Sequence, residues 1–214
     1  MSTRLVIPSS STKDFVDVSR NNSNFISYAP SAYFGWKKRV FDVLVSLVII
    51  LFVFPTLGLL GLLLTLIDNG FPLLFIQKRV GKDGNYFQCY KFRSLPKHSK
   101  SAEEASKLGT FIRRYHLDEI PQVINVLKGN MSLVGPRPHM ISDDLRFSEL
   151  NASYTIRHKI KPGITGWAQC KGFFGHVDSL EHLNKRTQLD LEYISTASLG
   201  LDLKILWQTF KLHL

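Results

Sequence analysis

The chain has 214 residues, with 27 Lys and Arg against 17 Asp and Glu, a formal charge of +10 and an isoelectric point near 9.7. That length admits one domain with a real core plus an appendage and argues against two large domains. The charge favours anionic partners (nucleic acid, phosphorylated small molecules or an acidic lipid surface) without choosing among them, and two distant cysteines, Cys89 and Cys170, signal neither a disulfide framework nor a zinc site and fit a reducing, cytosol-facing protein.

Residues 1 to about 35 are rich in Ser and Asn (SSST, NNSN) and carry no sustained apolar period, which predicts a flexible or loosely docked polar extension. Its opening run, MSTRLVIPSSSTKDF, lacks the long apolar core of an export signal.

Residues 36–70 read WKKRVFDVLVSLVIILFVFPTLGLLGLLLTLIDNG, with no charge from Val43 to Ile67. A helix over those roughly 25 positions would reach about 37 Å against about 30 Å of hydrocarbon, so the stretch is expected to meet lipid. Pro55, almost at its centre, removes a backbone hydrogen bond and clashes with the preceding turn, which predicts a sharp kink. Lys37, Lys38 and Arg39 lie before it and Lys78, Arg79 and Lys82 soon after, whereas a plain span leaves one side poorer in basic residues. Proline and charge leave two readings open: a bent span, and a re-entrant helix-break-helix that enters and leaves by the cytoplasmic face.

Residues 71–214 read as a small α+β, mostly helical, cytosolic domain. Two strands flank a turn at Gly81–Gly84, the second alternating in part through Phe87, Cys89 and Lys91. A polar, helix-tolerant stretch follows (KHSKSAEEASKLGTFIRRYH), then IPQVINVLKGN, a short helix closed by Gly129. The last third offers a loop (KPGITGW), a helix near Leu180 to Ser195 and a terminal amphipathic segment, LDLKILWQTFKLHL, suited to core packing or to the membrane interface.

The chemistry is expected at HLDEIPQVINVLKGNMSLVGPRP, residues 116–138. Asp118 is placed to cap a helix beginning at Glu119, with Pro121 in the first turn, and such a cap would keep its carboxylate ionised. The same ionised group is able to attack phosphorus or hold Mg²⁺ through oxygen, with Glu119 as a second ligand or proton-handling group. Arg113, Arg114 and Lys128 lie near in sequence, and Arg137 stands between two prolines in GPRP, a stiff mount for a phosphate-binding fork. Acids beside arginines form the constellation that phosphoryl transfer uses.

From Lys37 onward the chain resembles the bacterial sugar transferases, the monotopic polyprenyl-phosphate phosphoglycosyl transferases, in their compact form. The resemblance rests on KRVFDVLVSL, the membrane proline Pro55, QKRVGKDGNYFQCYKFRS, FIRRYHLDEIPQVINVLKGNMSLVGPRP and KPGITGWAQ, in the family's order. It implies the re-entrant form of the membrane helix and transfer of a sugar 1-phosphate from a UDP-sugar to undecaprenyl phosphate with release of UMP. That reaction would be the initiating step of polysaccharide or glycoconjugate assembly, with the catalytic domain on the cytoplasmic face of a bacterial inner membrane. It further implies Asp118 as nucleophile, Glu119 as its dyad partner, Mg²⁺ on the dyad, Arg113 at phosphate, and phosphate or structural roles for Arg137 and Lys91. Asn130, Ser94 and Phe54 depart from residues common in the family, and CKGFFGH after Gln169 departs where sugar choice is suspected. The sugar is therefore not carried over, and a homodimer is left open. A non-catalytic, membrane-anchored basic scaffold is the rival reading; nucleic acid is not expected, because the basic residues are dispersed and no recognised module occurs.

Overall fold

In the computed structural model of the protein, residues 29–53, 55–56, 58–59, 73–96 and 105–212 are described. Helix α1, Trp36–Val48, is two-faced. Lys38, Asp42 and Ser46, one turn apart, are buried, while Trp36, Val40, Leu44 and Leu47 are exposed. Lys38 Nζ lies 2.5 Å from Asp202 and 3.1 Å from Asp42, and Asp202 also accepts from the hydroxyls of Tyr33 (2.9 Å) and Tyr193 (2.6 Å). Asp42 in turn accepts the backbone N–H of Leu133. Asp202 is fully buried, so this network adds buried charge pairing to the apolar packing of Phe41 and Val45 against the core.

The backbone widens to a π-helical turn over Ile49–Val53, immediately before the helical and exposed Pro55. A proline ring needs that room, and the hydroxyl of Thr56 donates to the Val53 carbonyl across the break. The irregularity thus lies before Pro55 rather than at it, and Pro55 and Thr56 are themselves helical. Of the return limb expected up to residue 70, residues 55–56 and 58–59 are described and helical, while residues 60–70 lie outside the described residues, as do residues 1–28 of the polar extension. Among the described residues no helix is long and apolar enough to cross a membrane. Residues 31–34 are docked rather than loose: Ser31 N–H donates to Ile194 and its hydroxyl to Ala197.

Strands β1, Leu74–Val80, and β2, Tyr86–Phe92, form the expected antiparallel hairpin, with Gln77 opposite Cys89 and Val80 opposite Tyr86. Helices α2, Lys107–Arg114, and α3, Gln122–Lys128, follow, and Gly129 closes α3 at φ 84° as its position predicts. Asn125 of α3 is wholly buried, accepting from Tyr90 N–H at 3.1 Å and donating to the Gln88 carbonyl at 2.6 Å. It thereby satisfies the outer edge of β2 and fixes α3 against the hairpin. Arg39 of α1 donates to the Val126 and Leu127 carbonyls, a cation at the end of α3 where the helix dipole favours one.

Strands β3, Ser132–Val134, and β4, Gly163–Thr165, pair in parallel, with α4, Ile141–Leu150, between them and α5, Trp167–Cys170, after them. Gly135 and Gly163 let the GPRP and KPGITGW loops touch backbone to backbone: a Cβ on Gly163 would sit 2.1 Å from Gly135 N. Gly163→Ala is therefore expected to cost on the order of 3 kcal/mol, read as a fall in Tm or loss of folded protein, whereas the surface change Ser148→Ala should cost well under 1. Helices α6, Leu180–Thr196, and α7, Leu199–Leu212, complete the fold. The core lies among the hairpin, β3, β4, α6 and α7, around Phe87, Leu133, Val134, Tyr193 and Ile205. The architecture is α+β and mostly helical, as expected.

Candidate active site

The acid pair hangs on a strained residue. His116 has φ 54°, a left-handed conformation costing roughly 1 kcal/mol or more for a residue with a Cβ, and it swings the chain into a tight 3₁₀ turn over Leu117–Glu119. Pro121 has no N–H for an α-helical ladder, so α3 starts only at Gln122, with Pro121 as its cap and no side-chain cap. The expected role of Asp118 as helix cap is corrected accordingly: both acids precede the helix and are buried, Asp118 at 7% exposure and Glu119 at 5%.

Their surroundings then drive them apart. Arg137 forks Glu119, donating at 2.9 Å to Oε2 and 2.6 Å to Oε1, and Lys91 of β2 donates to Oε1 at 2.7 Å. Burial alone would raise the Glu119 carboxyl, but Arg137 and then Lys91 hold it well below the usual carboxylate range. Asp118 accepts no side-chain hydrogen bond among the described residues. Burial pushes its carboxyl up to about 6, assisted by the Glu119 charge and opposed by Lys91, Arg113 and Arg137. Backbone N–H groups therefore do not hold Asp118 ionised, as the capping position had suggested; it is a desolvated carboxylate whose charge Lys91, Arg113 and Arg137 favour. Arg113, at the end of α2, is exposed and acts on Asp118 through its charge.

Arg137 is held from behind. Arg157 donates to the Arg137 carbonyl at 2.8 Å and to Asp190 of α6 at 3.1 Å, and its third nitrogen reaches the Tyr154 hydroxyl. Tyr154 donates to Asp144, and its hydroxyl also meets His139 Nδ1. Burial first, then Arg157, keeps His139 well below its ordinary pKa, so this buried imidazole is neutral. An apolar cleft of about 490 Å³ opens beside Glu119 and Arg137 and runs between α7 and the end of α1.

The sequence pattern described as "Bacterial sugar transferase" matches residues 33–214. The chain belongs to the bacterial sugar transferase family. It is 42% identical over 181 residues to a UDP-glucose:undecaprenyl-phosphate glucose-1-phosphate transferase of Escherichia coli (strain K12), covering 80% of this chain and 39% of that protein. A UDP-N-acetylgalactosamine-undecaprenyl-phosphate N-acetylgalactosaminephosphotransferase of Aeromonas hydrophila is 34% identical over 194 residues, 86% of this chain and 45% of that protein. The exopolysaccharide production protein PSS of Rhizobium leguminosarum bv. phaseoli is 36% identical over 185 residues, 80% of this chain and 92% of that protein. The chain thus spans about two fifths of the length of the Escherichia coli relative and most of the Rhizobium one.

In this member of the family the structure brings together four of the five expected polar residues: Lys91, Arg137 and Glu119 in one ion cluster, with Asp118 next to Glu119 in the same turn. Arg113 reaches that group through its field. Arg157, Asp190, Tyr154 and His139 were missed by sequence reasoning. One signal existed: Leu183, Arg186, Thr187 and Asp190 recur at helical spacing on the buried face of α6, where charged side chains need partners. Arg157, by contrast, sits in the basic run RHKIK, where nothing local distinguishes it.

Proposed function

We propose that this chain transfers a sugar 1-phosphate from a UDP-sugar to undecaprenyl phosphate, through a covalent intermediate on Asp118, as the initiating membrane step of polysaccharide or glycoconjugate assembly. The observation that carries the reading is the contrast within the pair: Glu119 neutralised by a fork and an ammonium, and Asp118 buried without a hydrogen-bond donor among the described residues. An Asp118 oxygen attacks the sugar-bearing phosphorus of the donor, a P–O bond breaks, and UMP leaves with the bonding electrons. An oxygen of the prenyl phosphate then attacks the same phosphorus, expels the carboxylate and carries the sugar phosphate away as a prenyl diphosphate sugar. Lys91, Arg113 and Arg137 face the phosphate charge. Glu119, held as an anion by two cations, is a poor proton carrier, and it positions Arg137 and Lys91.

Mg²⁺ fits this site through Asp118, since the ion takes one or two carboxylates together with substrate phosphates and would offset negative charge there. Glu119 adds a second ligand only if the Arg137 fork opens, because both of its oxygens are engaged. The π-turn at Ile49–Val53 before Pro55, with basic residues on either side of the apolar stretch, supports a re-entrant anchor over residues 36–70 and a cytoplasm-facing catalytic body.

The test is UMP release from UDP-glucose, UDP-N-acetylgalactosamine and further UDP-sugars with undecaprenyl phosphate and Mg²⁺. Release with one donor and retention of its sugar phosphate on the protein are expected; silence with every donor would favour the scaffold reading. Labelling of residues 68–70 from the outer face of the membrane would refute the re-entrant anchor.

The pH dependence follows from Asp118. Its ionised form is the reactive one and, before any cation binds, burial raises its pKa to about 6, so with Mg²⁺ limiting, donor-only UMP release should fall tenfold per pH unit below about 6 and level off above 7. Leaving the acceptor out removes its own phosphate titration from the profile. An acid limb near 4 would mean an unperturbed carboxylate.

A further inference from the structure

The apolar cleft beside the dyad is lined by Arg114, Glu119 and Arg137 together with the apolar side chains of Ile49, Leu206 and Phe210. Ile49 begins the π-turn of the membrane segment. Phe210 is 57% exposed and stacks on Trp207, itself 58% exposed, on the outer side of α7. Lys211 lies 5.3 Å over the Trp207 ring, a cation and an aromatic arranged as at a headgroup layer. The cleft therefore shares Phe210 with the exposed aromatic face of α7, reaches the apolar stretch at Ile49, and carries two arginines in its wall.

Its two threonines and the Gln169 amide nitrogen are already paired. Thr165 and Thr209 share a hydrogen bond of 2.6 Å, Thr209 also donates to the Ile205 carbonyl, and Gln169 donates to the Ile164 carbonyl. One acceptor, Gln169 Oε1, is left without a partner among the described residues. A uridine or a sugar buried there would lose water at many polar atoms and regain little. A branched hydrocarbon loses nothing.

We propose that this cleft seats the first isoprene units of a polyprenyl phosphate, with its phosphate turned to Arg114 and Arg137 and the rest of the chain leaving past Phe210 into the bilayer. The proposal rests on the reaction proposed above for the acceptor's identity and adds where the acceptor is held. It also separates the substrates: the lipid enters from the membrane side along α7, while the soluble donor reaches Asp118 from the side of Lys91 and Arg113.

The test measures binding rather than turnover. Geranyl, farnesyl and geranylgeranyl phosphate are titrated against the full chain in nanodiscs, with partition into empty nanodiscs subtracted. Because each unit leaves lipid rather than water, Kd is expected to fall only a few-fold, by packing, for each isoprene unit that enters the cleft and then to level off. Leu206→Trp and Ile164→Trp should weaken binding at least tenfold and bring the plateau to a shorter chain; Leu206→Ala, which widens the cleft, should move it to a longer one. A Kd that ignores chain length, or Trp variants that weaken UDP-sugar binding and leave prenyl phosphates unaffected, would overturn the proposal. The two readings fail separately: prenyl phosphates binding as described without any UMP release would sink the reaction, and UMP release without chain-length dependence would sink the cleft.

Discussion

Asp118→Asn is expected to reduce UMP release by about four orders of magnitude or more, because the substitution removes the only atom proposed to bond to phosphorus and leaves the surrounding cations in place. Retention of radiolabelled sugar phosphate on the protein should vanish with it. The same change should make the protein more stable, which separates loss of chemistry from loss of fold. A carboxyl with a folded pKa near 6 and an unfolded one near 4 favours folding of its protonated form; that contribution is complete below pH 4 and is lost as pH rises through 6. At pH 8 the ionised Asp118 thus costs roughly 2–3 kcal/mol relative to an amide. The variant's Tm should exceed the parent's at pH 8 and match it near pH 4. An inactive variant that also melts earlier at pH 8 would assign the loss to folding instead.

Asp202→Asn is the second large effect. Asp202 is fully buried and joins Lys38 of α1 to Tyr33 and to Tyr193 of α6. The amide keeps the shape and an acceptor but leaves Lys38 with Asp42 alone, in a place where water does not reach. Removing one member of such a pair costs about 3–5 kcal/mol, so Tm should drop by roughly 10 °C. Lys38→Met added to Asp202→Asn should restore part of that loss, since the stranded ammonium is gone. A single variant that melts within a degree of the parent would show that α1 is held by its apolar contacts rather than by this network.

Local signals explain what the sequence disclosed of the fold. The β1–β2 hairpin was readable because glycines bracket its turn and the second strand alternates, and α3 was readable because Gly129 sits where a left-handed closing residue belongs. Helix α6 ends within one residue of its expected limit. Strands β3 and β4 were not readable: three residues each, pairing in parallel across about thirty positions, leave no periodicity to find. The error at Asp118 had a similar source. Cap preference is a local rule, and the left-handed His116 with the missing N–H of Pro121 imposed a tighter turn than the rule assumes. The acids themselves stood out as an adjacent pair in a basic chain, yet their division of labour depends on Arg137, eighteen positions away, and on Lys91 across the hairpin. Asp202 looked like an ordinary polar residue of an amphipathic helix; only the packing of α1 over it made it a buried anchor.

Arg39 gives the molecule a mechanical property. Its guanidinium grips the far end of α3, a rod of seven residues or roughly 10 Å, whose near end follows directly from the reactive turn. A lever so short transmits tilt almost without loss. If α1 is anchored and Asp118 loaded as proposed, a lipid environment that rocks α1, through a thicker hydrocarbon layer or lateral pressure, is expected to rotate the acid pair with it and change the rate of sugar loading.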